Sequence, residues 1–292
     1  MKRKYCAFLI IFCSVFKVIS AQNYDSVIIQ TTKITDKIYM LHGSGGNIAV
    51  LIGEDGIVMV DDQFAPLTEK INKSLSLLTT KPVRFIINTH FHFDHTGGNE
   101  NFGGEGAIIV SHHNSRLRMT TDQFIESFKV DQKKAPTAAL PKVTFTESLT
   151  LHLNVETLVV HHIKNAHTDG DVILHFKESN VFHAGDIFVR YGLPFIDQPN
   201  GGTIDGMIRG IDFLIKLADN NSRIIPGHGD LSTKQDLLDY KIMLEKVRSL
   251  IGDKIKQGTS LNELIAGDIL KDYPAAFPRE LFVKSVYDSI KK

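Results

Sequence analysis

The chain has 292 residues and carries 33 basic and 33 acidic side chains, which gives a formal net charge of zero. Beyond residue 21 no basic run is longer than Lys133-Lys134, a pattern that does not fit a protein that binds the phosphate backbone of nucleic acids. Both cysteines, Cys6 and Cys13, precede residue 21, so a chain cleaved there has no disulfide, thiol nucleophile or thiolate metal ligand.

Residues 1–21 have the three-part layout of a secretory signal peptide. A basic start at 1–4 is followed by a mainly apolar stretch at 5–18 and by small residues ending at Ala21. The apolar stretch is too short for a membrane span, and no stop-transfer pattern follows it. We therefore predict cleavage near Ala21, a periplasmic or secreted location, and no stable membrane anchor after cleavage. An uncleaved N-terminal anchor is the alternative.

The first half of the remaining chain is predicted to form strands and one helix. Helical spacing of leucine and isoleucine predicts the helix at 66–78. Runs rich in β-branched and aromatic residues, several of them bounded by glycine-rich turns, predict strands at 33–41, 47–52, 56–61, 81–88 and 107–110.

The second half repeats this order of strands followed by helices. A helix is predicted at 207–217, a short strand at 224–225, and a helical tail at 232–292 that packs on the rest. The repeat predicts an α/β fold, a four-layer αβ/βα sandwich in one domain of residues 22–292. Its second set of strands is predicted at 142–145, 149–153, 155–161, 172–176 and 180–183.

The most informative stretch runs from residue 88 to residue 99 and begins where the strand at 81–88 ends. His90 and His92 are two residues apart, so in extended backbone both imidazoles point the same way and can bind one ion. Asp94 and His95 follow where the chain begins to turn, so they can face a second ion. Imidazole together with carboxylate is a ligand set that suits Zn²⁺.

Three later segments each place a potential ligand where a strand is predicted to end. His167 lies in the sequence Asn-Ala-His-Thr-Asp-Gly-Asp, Asp186 follows an apolar run and a glycine, and His228 stands between two glycines. A glycine beside a ligand lets the backbone approach a metal closely. These segments supply the further ligands that a site with two ions needs.

As a set, these motifs resemble those of the metallo-β-lactamase-fold superfamily of hydrolases, and they match in order between about residues 35 and 230. The resemblance implies the same four-layer sandwich and two zinc ions per chain. It implies that the first ion is bound by His90, His92 and His167, the second by Asp94, His95 and His228, and that Asp186 bridges the two.

Details of the motifs indicate which branches of the superfamily the chain resembles most. The first pair is His-x-His rather than the His-x-Glu that marks the di-iron relatives, which favours zinc. At the position of Asp186, one major group of true β-lactamases has cysteine and another lacks the bridging carboxylate. The chain therefore looks more like the glyoxalase-II, lactonase and general esterase branches, although its tail is shorter and plainer than the substrate-binding helical domain of glyoxalase-II enzymes.

The predicted function is an exported zinc-dependent hydrolase that uses a zinc-bound hydroxide to cleave an acyl bond in a small molecule. An ester, thioester or lactone is the leading substrate class, with Asp94 orienting the nucleophile as the catalytic residue. A β-lactamase that hydrolyses the amide of β-lactams is the alternative. From other classes, a non-catalytic periplasmic metal-binding protein and an iron oxygenase remain to be separated by experiment.

Further residues are candidates for supporting roles. His42 precedes a glycine-rich turn that could form a flap over the metals, and Arg190 and Tyr191 follow a ligand strand, where a loop is well placed to touch substrate. Tyr191 has oxyanion binding and packing as alternatives. Asp169 and Asp171 are candidates either for orienting the metal-binding histidines or for capping a turn. The sequence does not predict the oligomeric state.

Overall fold

The computed structural model describes residues 24–126 and 128–291, in which the chain forms two large β-sheets with helices on the outer face of each. The predicted signal peptide lies outside the described residues. Among the described residues no helix is both long and apolar enough to cross a membrane.

The first sheet has seven strands and changes from antiparallel to parallel pairing at β4. Strands β1 to β4 pair antiparallel, and β4, β5, β6 and β9 pair parallel. In the order of the sheet, the strands are β1 (Gln30–Lys33), β2 (Ile38–His42), β3 (Ile48–Gly53), β4 (Gly56–Val60), β5 (Val83–Ile87), β6 (Ile108–His112) and β9 (Val143–Phe145).

The second sheet has five strands, all antiparallel except for the last pair, and a two-stranded hairpin lies apart from both sheets. The hairpin consists of β7 (Gln123–Ile125) and β8 (Val130–Gln132). In the order of the second sheet, the strands are β10 (Ser148–Leu153), β11 (Glu156–His162), β12 (Val172–Phe176), β13 (Val181–His183) and β14 (Arg223–Ile225).

One predicted strand belongs to the other sheet. The strand predicted at 142–145 was expected to open the second set, but β9 pairs parallel with β6 and closes the first sheet. Two of its three residues are exposed, so its composition does not indicate which sheet edge it covers. The remaining strands of the second set lie where the sequence predicts them, within two residues at each end.

The two sheets face each other across a shared apolar core. Leu51 and Val58 of the first sheet and Leu174 and Phe176 of the second are buried in this core. Period-two alternation along the strands sends the intervening residues to the outer faces, where they meet helices. Ile71 of the first outer layer is buried there.

Eight α-helices lie within the described residues, and the larger ones form the two outer layers. Apolar residues of α5, α6 and α8 pack on the second sheet in the largest core cluster. The Thr203 hydroxyl accepts a hydrogen bond from Gly206 N–H at 3.0 Å and so caps the start of α5. The helices are α1 (Thr68–Ser76), α2 (Phe93–Thr96), α3 (Asn99–Gly104), α4 (His113–Met119), α5 (Ile204–Leu217), α6 (Lys234–Lys256), α7 (Leu261–Ala266) and α8 (Arg279–Lys291).

The order of layers is therefore helix, sheet, sheet, helix, as the sequence predicts. The helical tail predicted at 232–292 contains α6, α7 and α8, which are separated near Gly258 and by the loop that holds Pro274 and Pro278. Loops that follow β5, β11, β13 and β14 come together at one edge of the sandwich, and this edge carries the candidate site.

Candidate metal centre

The structure brings the seven predicted metal ligands together in three overlapping groups, although they span residues 90 to 228. Within each group, one side-chain nitrogen or oxygen of every member lies within 4.8 Å of the others. The groups are His90 with His92 and His167; His90 with His95 and Asp186; and Asp94 with His95 and His228.

The first group has the spacing expected of ligands to one ion. His92 Nδ1 and His167 Nε2 lie 3.0 Å apart, and the ring centroids of His90 and His92 are 4.7 Å apart. Zinc–nitrogen bonds of about 2.0–2.1 Å in a tetrahedral arrangement place two ligand atoms about 3.3 Å from each other. The separation of His92 and His167 is close to this value.

Asp186 lies between the two predicted ion positions. Its Oδ1 is 3.2 Å from His95 Nε2, and its Oδ2 is 3.5 Å from His228 Nε2 and 3.8 Å from His167 Nε2. His95 Nε2 and His228 Nε2 are 3.3 Å apart, and Asp94 Oδ2 is 3.3 Å from His228 Nε2. The Asp186 carboxylate thus reaches histidines of both sets, which is the geometry of a bridging ligand.

Two buried carboxylates fix the orientation of ligand histidines. Asp61 Oδ2 accepts a hydrogen bond from His95 Nδ1 at 2.8 Å, and Asp197 Oδ2 accepts one from His92 Nε2 at 2.8 Å. Both carboxylates are completely buried. Such contacts set the tautomer of a metal-binding histidine and raise its basicity. The sequence does not single out either aspartate.

Two further histidines are oriented by neutral oxygen atoms. His167 Nδ1 donates to the backbone carbonyl of Phe195 at 2.8 Å. The Thr89 hydroxyl donates to Asp61 at 2.7 Å, so it accepts from His90 Nδ1 at 3.0 Å. The opposite nitrogen of each ring therefore carries a lone pair that points into the centre.

These tautomers make the residues fit a cation. His92 Nδ1 and His167 Nε2 both present lone pairs across 3.0 Å, an arrangement that is repulsive unless a positive charge lies against them. His90 Nε2 is buried and has no hydrogen-bond partner among the residues that the structure describes. A buried polar atom without a partner is costly, and a metal ion would satisfy it.

Two glycines give the ligands the space they need. A Cβ atom on Gly227 would lie 2.0 Å from Asp186 Oδ1, and one on Gly46 would lie 2.1 Å from the ring of His95. Real Cβ atoms essentially never approach so closely. Gly227, beside His228, therefore permits the close approach of the Asp186 carboxylate.

The electrostatic environment divides the histidines into two kinds. Burial lowers the pKa of His90 well below its usual value and lowers that of His167 to about 4, so both rings are neutral and able to bind a metal. Burial also opposes the charged form of His228, but Asp186 and Asp94 outweigh it and raise its pKa to about 9. A proton there occupies the place that a metal cation would take between two carboxylates.

Among the described residues, neither Asp169 nor Asp171 orients a metal-binding histidine. Asp171 accepts hydrogen bonds from Thr168 N–H at 2.8 Å and from the Thr168 hydroxyl at 2.5 Å, so it caps the turn. Asp169 forms an ion pair with Arg118 at 2.7 Å. Asp197, which lies on a different loop, has the orienting role instead.

His42 contacts the loop of the last ligand indirectly, through Asn47. His42 Nδ1 lies 2.9 Å from Asn47 Oδ1, and the Asn47 amide donates to the carbonyl oxygens of Pro226 and Gly229. The residue that follows the glycine-rich turn thus ties this turn to the loop that carries His228.

Arg190 and Tyr191, the two candidates for contact with substrate, lie in different surroundings. Arg190 forms an ion pair with Asp236 at 2.9 Å and does not line the cavity. Tyr191 does line it, and its ring centroid is 5.9 Å from that of His228.

A cavity of about 230 Å³ opens over the candidate metal centre. Its polar part consists of His92, Asp94, Asp186 and His228, together with Ser44. The rest of its wall is largely aromatic and consists of Phe64, Phe128, Tyr191, Phe195 and Phe277. The arrangement can hold metal ions at the base of a cavity that admits a small molecule.

Comparisons with curated proteins give relatives that are hydrolases. The chain is 24% identical over 208 residues to a probable metallo-hydrolase of Methanocaldococcus jannaschii, which covers 70% of this chain and 97% of that protein. It is also 24% identical over 212 residues to an acyl-coenzyme A thioesterase of Bos taurus, which covers 64% of this chain and 74% of the relative.

Solved structures show the same fold. A metallo-β-lactamase from Pontibacter korlensis superposes with a TM-score of 0.61 at 18% sequence identity, over 74% of this chain and 99% of that one. The family model of the metallo-β-lactamase superfamily matches residues 43–228, which is more than half of the chain. This segment contains the candidate metal centre, and the protein is a metallo-hydrolase that belongs to the metallo-β-lactamase superfamily.

Proposed function

We propose that this protein is an exported dizinc hydrolase that cleaves the acyl bond of a small ester, thioester or lactone. The observation that carries the proposal is the convergence of five histidines and two aspartates at the base of one cavity. The inward ring nitrogens of His90, His92 and His167 carry lone pairs, and the other two histidines lie against carboxylates. The set contains only nitrogen and oxygen donors, which suits zinc.

Each proposed ion has its own residues. His90, His92 and His167 would hold the first, whereas Asp94, His95 and His228 would hold the second, with Asp186 shared. When bound, two zinc ions would supply Lewis acidity and lower the pKa of water to about 7. The chain itself supplies the negative charge that keeps two dications close together.

Asp94 is the proposed catalytic residue. Burial opposes its ionisation, but His95 and His228 outweigh burial and lower its pKa to about 2, so its carboxylate is ionised at neutral pH. Its side chain lines the cavity. It can therefore accept a hydrogen bond from a water molecule at Oδ, orient that water towards an acyl carbon, and pass the proton to the leaving oxygen or sulfur.

The reaction consumes one water molecule. A bond forms between the water oxygen and the acyl carbon, the C–O or C–S bond breaks, and a carboxylic acid and an alcohol or thiol are released. The acyl-coenzyme A thioesterase relative supports an acyl substrate. The likeness to a β-lactamase supports the second candidate, β-lactam hydrolysis, although at 18% identity it concerns the fold alone.

Export is part of the proposal and depends on residues 1–21, whose sequence is typical of a signal peptide. Expression of the full chain with analysis of the mature N-terminus by mass spectrometry would test it. We expect a start at Gln22 in a compartment outside the cytoplasm. A start at residue 1 would contradict the proposal.

The activity is tested with zinc-loaded protein of residues 22–292. Hydrolysis of neutral esters, thioesters, lactones, β-lactams and phosphodiesters would be compared under one condition, with Asp94→Asn as the control that removes the catalytic carboxylate. We expect hydrolysis of at least one acyl substrate, with a large loss in the variant. Activity on β-lactams alone would favour the second candidate.

Two results would contradict the proposal as a whole. Zinc-loaded protein that cleaves no member of the panel would favour a non-catalytic metal-binding protein. Metal analysis of protein purified without added metal that finds iron in place of zinc would favour an oxygenase.

A further inference from the structure

The cavity above the candidate metal centre is lined by aromatic rings from distant parts of the chain. Phe64 follows β4, Phe128 lies between the strands of the β7–β8 hairpin, and Phe277 belongs to the tail that links α7 to α8. The rings of Phe128 and Phe277 meet edge to face, with centroids 5.2 Å apart. The tail, which the sequence predicts to pack on the rest of the chain, thus also forms part of the cavity wall.

The aromatic contacts continue around the opening. Phe277 also lies 5.7 Å from Tyr191 and 6.1 Å from Phe195, measured between ring centroids. Phe195 in turn stacks at 6.0 Å on the ring of His92. An apolar group that entered this cavity would touch rings on several sides while its reacting end faced the metal centre.

The described lining offers no cationic side chain that could pair with a substrate anion apart from the metal centre itself. Among the described residues that line the cavity there is no lysine or arginine, and the charged groups of the lining are those of the centre. A carboxylate or phosphate held against the rings would lose its hydration without gaining a counter-charge, which is unfavourable. The wall therefore favours an uncharged substrate group.

Phe277 also lines a second cavity. The second cavity has a volume of about 290 Å³, and Phe277 is the residue that its lining shares with the first. Its lining includes charged side chains as well as aliphatic ones. These residues are Leu264, Ile265, Ile269 and Val283, with Asp268, Arg279 and Glu280. The first cavity, at about 230 Å³, is smaller than the roughly 300–1,000 Å³ typical of ligand sites, and the Phe277 ring is part of the wall that bounds it.

We propose that the substrate carries a short, uncharged apolar acyl group that lies against this aromatic wall, and that Phe277 determines how long that group can be. This inference rests on the proposed acyl-hydrolase function and specifies its substrate class. It disfavours substrates whose acyl portion bears a carboxylate or phosphate.

Charge selectivity is tested with a matched pair of esters and zinc-loaded protein. 4-Nitrophenyl hexanoate has a neutral acyl chain, and mono-4-nitrophenyl adipate has a chain of equal length that ends in a carboxylate. We expect kcat/KM for the hexanoate to exceed that for the adipate by at least about tenfold. Equal or reversed preference would overturn the apolar assignment.

Chain length is tested with a series of 4-nitrophenyl esters from acetate to decanoate. Phe277→Ala should move the optimum to longer chains by about two carbons, mainly through a lower KM, because removing the ring joins the two cavities. Phe124→Ala, an exposed phenylalanine on the same hairpin as Phe128, should leave the profile unchanged. An unshifted optimum in a folded Phe277→Ala protein would overturn the role of Phe277.

A double variant tests whether the shift in Phe277→Ala comes from access to the second cavity or from a general loss of packing around the first. Ile265 lines the second cavity, so Ile265→Trp should fill it and cancel the gain in the Phe277→Ala background, while leaving the wild-type profile unchanged. Persistence of the longer optimum in the double variant would contradict the joining of the two cavities.

Binding is measured separately so that it does not depend on turnover. Saturation-transfer NMR with zinc-loaded protein and 2-octanone, which cannot be hydrolysed, should detect binding whose affinity changes at least about fivefold in Phe277→Ala and not in Phe124→Ala. Absence of any Phe277 dependence would overturn this inference, whereas binding without hydrolysis of any ester would count only against the proposed function.

Discussion

Four of the five histidines in the candidate metal centre have one ring nitrogen engaged by an oxygen atom of the chain. The oxygens belong to the side chains of Thr89, Asp197 and Asp61 and to the backbone of Phe195. In His90, His92 and His167 the contact leaves the other nitrogen as an acceptor that points inward. In His95 the other nitrogen, Nε2, faces the carboxylates of Asp186 and Asp94 instead. The rings are therefore held in the orientation that metal binding requires, and the chain bears the cost of ordering them when it folds.

The two orienting aspartates should influence different ions. Asp197→Asn removes the negative charge beside His92 and should weaken binding of the first ion. Asp61→Asn removes the negative charge beside His95 and should weaken binding of the second ion more than that of the first. We expect metal affinity to fall by about 10–100-fold at the affected position. Chelator competition followed by metal analysis measures this. Equal affinity of both variants and the wild type would show that these contacts do not tune the centre.

Substitution of Asp186, the proposed bridging ligand, should change the number of bound zinc ions as well as their affinity. If the proposed centre holds two dications about 3.5–4 Å apart, Asp186→Asn removes the negative charge that would offset them. We expect zinc stoichiometry to fall below two, with a large loss of turnover and retained secondary structure by circular dichroism. His228→Ala is the matched comparison and should lose one zinc while keeping the other. A wild-type stoichiometry of one in excess zinc would contradict the dinuclear interpretation.

The seven candidate ligands are visible in the sequence because each follows a predicted strand and because their types recur in a known order. Asp61 has the same local signal, an acidic residue after an apolar strand, but Asp62 shares it, and only the fold tells the two apart. Asp197 lies 105 positions from His92 in an irregular loop. No local pattern connects those two residues, since their contact depends on how the sheets pack.

Between elements, the ends of β6 and β11 are joined by a pair of stacked histidines. The rings of His112 and His162 lie 3.7 Å apart at an angle of 7°. His112 also caps α4, because its Nδ1 accepts a hydrogen bond from Asn114 N–H. Burial and the neighbouring His162 lower the pKa of His112 to about 4, so the stack holds both rings in the neutral form.

This stack should make folding stability depend on pH. The pKa of His112 is about 4 in the folded chain and about 6.5 when unfolded, so between these values the unfolded chain binds more protons. Its contribution to the free energy of unfolding is therefore complete above pH 6.5 and is lost as the pH falls towards 4. His112→Asn, which keeps a capping side chain, should show a shallower decline over this range.

Urea unfolding of metal-free protein at several pH values measures the effect without interference from metal release. His113→Asn is the control, because His113 is adjacent and exposed and should leave the slope unchanged. Parallel pH profiles for wild type and His112→Asn would show that the stack makes no contribution.

Element types were predictable where periodicity was strong, as in the paired strands of the second sheet and in α6. The sheet to which β9 belongs was not, because a strand of three mostly exposed residues carries no signal for its neighbour. The start of α5 was predicted three residues late, at 207 rather than 204. Its first turn is fixed by the Thr203 cap and not by apolar spacing.

For the whole molecule, the absence of cysteine beyond residue 21 has a direct consequence. Mild peroxide should leave both zinc and activity in protein of residues 22–292, because no thiolate is available to be oxidised. Chelators should inactivate it and added zinc should restore activity, whereas acid should release zinc below the unperturbed histidine pKa of about 6.5. Zinc release by peroxide near neutral pH would show that a residue outside the seven holds the metal.

The parallel pairing of β13 with β14 determines when the centre can be completed. His228 follows β14, and β14 joins the sheet only after the long connection through α5 has crossed back to β13. The ligands proposed for the first ion all precede this connection, so they can assemble while the last strand is still unpaired. Metal uptake during folding should therefore be sequential, with the second ion acquired only when the strand with the longest connection docks.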